Sequence, residues 1–99
     1  MTFQQEYIDK IKSYFIDKPV LKAYLVGSFS RGEATEESDI DILVELDYSG
    51  KIGLEFIKMQ LELENLLNRN VDLLSTNAIS KYILPFINQD KILIYEKQN

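Results

Sequence analysis

The chain contains no cysteine and no histidine among its 99 residues. Without cysteine there are no disulfides, no thiolate catalysis and no iron–sulfur clusters. Without histidine, serine–histidine triads and the usual zinc sites are excluded. No apolar run approaches the roughly 18 residues of a membrane span. The opening Met1-Thr2-Phe3-Gln4-Gln5-Glu6-Tyr7 lacks the basic and apolar segments of a signal peptide. There is no low-complexity segment, internal repeat or linker. The cysteine-free composition fits a cytoplasmic protein. Positive charge is also scarce, with 11 Lys and Arg against 16 Asp and Glu for a net charge of −5. Such a chain attracts polyanions poorly, so a long nucleic acid is not the expected partner.

What remains is ordinary for a globular protein, with an apolar fraction of 45% and a charged fraction of 27%. The length predicts a single domain over residues 1–99, with a real core but no second substrate-binding domain. Phe3, Tyr7, Ile8, Ile11, Tyr14 and Phe15 recur at helical spacing, predicting a helix over about 2–17 that Asp17-Lys18-Pro19 ends. Val20 to Val26 reads as a strand, Gly27 to Ser38 as a loop with a short helical turn around Ser30 to Ala34, and Asp39 to Leu46 as a second strand. Asp47-Tyr48-Ser49-Gly50 is a turn.

Ile52 to Asn68 forms the longest predicted helix. Ile52, Phe56, Met59, Leu63, Leu66 and Leu67 make one apolar stripe, and Leu54, Ile57 and Leu61 make a second on nearly the opposite side. The second stripe must meet another helix of the domain or another chain. The N-terminal helix is the expected cover, and an oligomer is the alternative. Val71 to Ser75 is a third strand. Asn77 to Asn88 reads as helical, disturbed or restarted at Pro85, and Lys91 to Tyr95 as a last strand. The expected class is α/β, with a small mixed β-sheet and helices packed on it. The first two strands are predicted to be antiparallel, and the long helix permits a parallel crossover to the third.

The chemistry concentrates between Gly27 and Leu46. A small-residue turn, Gly27-Ser28, follows the first strand and offers backbone N–H groups to phosphate oxygens. Asp39 and Asp41, at i and i+2, point to one face of a strand. Paired hard oxygen ligands suit Mg²⁺ or Mn²⁺ held against a nucleoside triphosphate. In isolation, strand-end aspartates often cap turns or face water. Asp72, set within the apolar run Val71-Asp72-Leu73-Leu74, either faces solvent or completes a three-carboxylate cluster from a neighbouring strand about 5 Å away.

Gly27-Ser28, Arg31-Gly32, Asp39-Ile40-Asp41 and a later Asp72 together resemble the minimal nucleotidyltransferases of the DNA polymerase beta superfamily. Ser30 stands where members of that class often carry alanine. The resemblance implies a polymerase-beta-type fold and an enzyme using ATP and two Mg²⁺ ions about 3.5–4 Å apart. Asp39 and Asp41 would bridge both ions. Asp72 would bind the ion that activates the acceptor hydroxyl and take its proton. Gly27 and Ser28 would hold the outer phosphates, since a side chain at Gly27 would block close backbone approach. Arg31 either neutralises phosphate charge or pairs with Glu33, Glu36 or Glu37. Ser38 is expected to cap the loop.

Tyr24, Tyr48, Tyr82 and Tyr95 are candidates for stacking on adenine or for simple packing, and Lys81 and Arg69 read as surface charges. The resemblance further implies transfer of AMP to a hydroxyl on a partner. Stand-alone members of that class pair with helical HEPN ribonuclease toxins and act as antitoxins. The alternative is a module that neutralises its partner by binding alone. An aminoglycoside-type modifier is a third possibility, but such enzymes usually need a longer chain.

Overall fold

A computed structural model describes residues 3–98, excluding the Phe3 side chain. Thr2 and the Phe3 contribution to the first apolar stripe therefore lie outside the described residues. Helix α1 (Phe3–Phe15) leads into strand β1 (Val20–Val26), and a 3₁₀ turn (Gly27–Phe29) follows. Strand β2 (Ile40–Leu46), helix α2 (Glu55–Leu67) and strand β3 (Val71–Ser75) come next. A second 3₁₀ turn (Thr76–Ala78), helix α3 (Leu84–Asp90) and strand β4 (Ile92–Glu96) complete the order. The four strands form one mixed sheet in the order β3-β2-β1-β4. β1 pairs antiparallel with β2 and β4, and β2 pairs parallel with β3. The predicted class and strand directions hold.

One face of the sheet carries the core. Ala23, Leu25, Ile40, Ile42, Val44, Val71 and Leu73 meet Ile11 and Phe15 of α1 and Met59, Leu63 and Leu67 of α2. The two helices lie side by side on that face, α1 nearest β4 and α2 nearest β3. The Tyr14 hydroxyl donates to Glu62 Oε1 at 2.6 Å, linking the helices along their flanks. α2 also covers the edge of β3. Glu64 accepts from the Val71 N–H at 3.1 Å and Gln60 from the Leu73 N–H at 3.4 Å, which blunts an otherwise open strand edge.

This layout overturns the expected cover of the second α2 stripe. Leu54, Ile57 and Leu61 are 80%, 57% and 56% exposed. Two helices lying on the same sheet touch along their flanks, so α1 never reaches the outer side of α2. Leu66, assigned from its spacing to the buried stripe, is also exposed, while Met59, Leu63 and Leu67 are buried. Element ends differ as well. α2 starts at Glu55 because Gly53 takes a left-handed φ of 48° just before it. The predicted 77–88 helix breaks at extended Ile79, and α3 begins with Pro85 in its first turn. The helical turn expected at Ser30 to Ala34 sits earlier, at Gly27–Phe29.

Candidate active site

The second face of the sheet holds the predicted site. Its side chains come from the alternate positions, Val26 of β1, Asp41 of β2 and Asp72 and Leu74 of β3. The parallel register places Asp41 directly beside Asp72. The antiparallel register places Asp41 beside Val26, the residue before Gly27. The Gly27 turn and two of the three acids are thus brought together by strand pairing alone.

Gly27 is pressed against this site. Its φ is 71°, and a Cβ there would overlap the Asp41 carboxylate. Glycine is required on both counts, since an L side chain is strained in that conformation and the space is taken. The Gly27 carbonyl accepts from the Ser30 N–H at 3.1 Å and the Ser30 hydroxyl at 2.8 Å, which closes the 3₁₀ turn. Ser30 thus works as a turn residue, and its departure from the alanine of the resembled class is accommodated.

Asp41 is half-buried, and its carboxyl is pushed up to about 6 from the usual 3.8. Burial is the largest cause, followed by the charge of Asp72, a hydrogen bond between the two carboxyls, and the charge of Asp39. Asp39 stands one residue before β2 and is exposed. Among the described residues, no three His, Cys, Asp or Glu side chains are already gathered around a point that a metal could occupy. The donor chemistry nevertheless fits a hard cation. All three candidates are carboxylates, and a cation between them would relieve the repulsion that raises Asp41.

Arg31 has two carboxylate partners. Its Nε donates to Glu33 at 2.7 Å and its Nη1 lies 3.9 Å from Asp90 of α3. The Glu33 hydrogen bond is the chief reason that its guanidinium holds its proton more tightly than usual. Glu33 was among the expected partners, and Asp90 is an addition. Arg31 still lines a cavity of about 270 Å³ with Gly27, Asp41, Leu74, Ile83 and Phe86.

Arg69 does more than its reading as a surface charge allowed. Its Nη1 donates to the carbonyls of Thr35 and Ser38 at 2.9 and 2.8 Å, and its Nε donates to the Tyr7 hydroxyl at 3.2 Å. The guanidinium also lies over the Tyr7 and Phe29 rings. It therefore ties the loop that delivers Asp39 to α1 and to the end of the Gly27 turn. Ser38 caps the loop as expected, its Oγ accepting from the Thr35 N–H at 2.8 Å. The four tyrosines considered for base stacking lie elsewhere. Tyr95 is buried against Phe15, Tyr24 sits under Lys91, Tyr48 lines a separate apolar cavity, and Tyr82 is exposed beneath Lys81.

Residues 9–99 match the family Polymerase beta, Nucleotidyltransferase. The chain belongs to the polymerase beta nucleotidyltransferase family. A Methanocaldococcus jannaschii protein, provisionally named a protein adenylyltransferase, is 38% identical over 93 residues, covering 91% of this chain and 93% of its own. The protein adenylyltransferase MntA of Thermococcus cleftensis is 35% identical over 68 residues, covering 69% of this chain and 68% of its own.

Two solved structures share the fold at 21% identity. One is a toxin–antitoxin with AMP-PNP, at a TM-score of 0.72 over 98% of this nucleotidyltransferase and 76% of that chain. The other is a tri-AMPylated Shewanella oneidensis HEPN toxin in complex with its MNT antitoxin, at a TM-score of 0.71 over 97% and 75%. Among the described residues no helix is long and apolar enough to cross a membrane.

Proposed function

We propose that this nucleotidyltransferase transfers AMP from ATP to a hydroxyl of a HEPN-type toxin and thereby acts as an antitoxin. The observation that carries the reading is the register that sets Asp41 beside Asp72 while Gly27 closes on the Asp41 carboxylate. That is a phosphate-binding turn packed against an acidic pair, on a face that the core helices leave open. Asp39, Asp41 and Asp72 would hold Mg²⁺. Mg²⁺ bound there supplies positive charge against the phosphates and favours ionisation of the incoming hydroxyl.

The chain's own groups divide the remaining work. Backbone N–H groups of the Gly27-Ser28 turn and the Ser28 hydroxyl receive the β- and γ-phosphates. Arg31 exchanges Glu33 and Asp90 for phosphate oxygens, which offer its guanidinium a stronger, bidentate partner. The acceptor oxygen bonds to the α-phosphorus, the bond to the bridging oxygen breaks, and pyrophosphate leaves. Asp72 Oδ receives the acceptor proton. Asp72 and Asp39 are exposed, so a hydroxyl carried by a folded partner reaches them from outside. The names of the relatives, both protein adenylyltransferases, support this acceptor class.

A second reading, neutralisation by binding alone, is favoured by the ungathered state of the three acids. Intact-mass measurement of a co-expressed HEPN-type partner separates the two. The first reading expects one or more AMP additions that vanish with Asp39→Asn or Asp41→Asn. A partner that is neutralised equally by wild type and variants, with no mass change, would favour the second.

A further inference from the structure

The cavity beside Asp41 has a mixed lining. Gly27, Arg31, Asp41 and Asp90 line it with polar or charged groups, and Leu74, Ile83 and Phe86 line it with apolar side chains. Phe86 is 69% exposed and Ile83 is 54% exposed, and no residue of α3 is buried. An aromatic ring left this open beside a charged site lacks a core to serve.

We propose that Phe86, flanked by Ile83 and faced by Leu74, is the nucleobase seat of the nucleotide. The inference rests on the proposed nucleotide site and extends it to the base. A triphosphate laid with its outer phosphates on the Gly27 turn brings its α-phosphorus to Asp41. The nucleoside then continues away from the turn, across the sheet toward β3. Leu74 lies on β3 two residues beyond Asp72, and so on the same face. Phe86 lines the same cavity.

The cavity's size, about 270 Å³, is near the lower end of small-molecule sites at roughly 300–1,000 Å³. Asp72, the acid assigned to the acceptor, does not itself line the cavity. Aromatic stacking tolerates any base, because every base has a π-face. The seat therefore raises affinity for nucleoside over bare phosphate without fixing the base.

Calorimetric titration of the whole chain with Mg²⁺-ATP and with Mg²⁺-tripolyphosphate tests this. Phe86→Ala should weaken ATP binding roughly five- to a hundred-fold, the range of one lost base stack. Tripolyphosphate binding should be unchanged, and Phe86→Trp should restore ATP binding. Phe86 is exposed, so the variants keep the fold. Unchanged ATP affinity in Phe86→Ala, or equal weakening of both ligands, would overturn the proposal. So would a variant that binds ATP normally but shows a raised KM for its protein acceptor, since the ring would then serve the acceptor. A wild-type protein that binds both ligands equally leaves the phosphate site standing and removes the base seat. Binding of neither refutes the nucleotide site itself, and the base seat with it.

Discussion

Asp41 is where the demands on this chain conflict. It packs under Gly27, faces Asp72, and keeps its proton up to about pH 6 where an unfolded aspartate releases it at 3.8. The native state therefore binds more protons than the unfolded state between those values, and metal-free stability must fall as pH rises from about 4 to 6. After solvent screening at a half-buried position, the loss is on the order of 1 kcal/mol. Asp41→Asn should flatten that part of the pH profile and leave the chelator-treated protein as stable as wild type, or more so, at pH 7. Denaturant melts across pH 4–8 in EDTA read this out, and a clearly destabilised variant would mark Asp41 as a structural residue. Gly27→Ala should cost about 1–2 kcal/mol for the left-handed backbone, plus the displacement of Asp41. Its nucleotide affinity should fall further than its melting temperature implies.

At the scale of elements, the strands were the most legible part. β1 and β3 fall where their branched and aromatic runs put them, and the short β1–β2 connection foretold their antiparallel pairing. Strand pairing carried the Gly27 turn, Asp41 and Asp72 to one face. The cover of the second α2 stripe is not legible in the sequence, because periodicity reports which residues are apolar, not which neighbour reaches them. Leu63→Ala should cost about 2–5 kcal/mol, since its side chain is fully buried. Leu61→Glu, one turn face away and exposed, should stay within about 0.5 kcal/mol. Thermal melts of the pair decide it, and unfolding of Leu61→Glu would contradict the packing described.

Arg69 was illegible for a different reason. Its partners, Tyr7, Phe29, Thr35 and Ser38, all lie 31 or more residues away along the chain. No local pattern signals such a clamp. Phe86, beside Pro85 in a short helix, likewise carries no local signal of a site.

For the molecule as a whole, nucleotide and metal are expected to act as one ligand on one face of one sheet. A ligand bound only by the native state adds roughly 2.7 kcal/mol at a hundredfold excess over Kd. For a chain of 99 residues that is on the order of a 10–20 °C rise in Tm. ATP with Mg²⁺ should give such a rise and either alone much less, and identical melts would remove the joint site. The central claim, nucleotidyl transfer, is tested most directly by following the label from ATP marked at the α- or the γ-phosphate in the presence of Mg²⁺ and the HEPN-type partner. The α-label should move to the partner and the γ-label should leave as pyrophosphate, with both events lost in Asp41→Asn. Transfer of the γ-label to the partner, or α-label transfer that survives Asp41→Asn, would contradict the account.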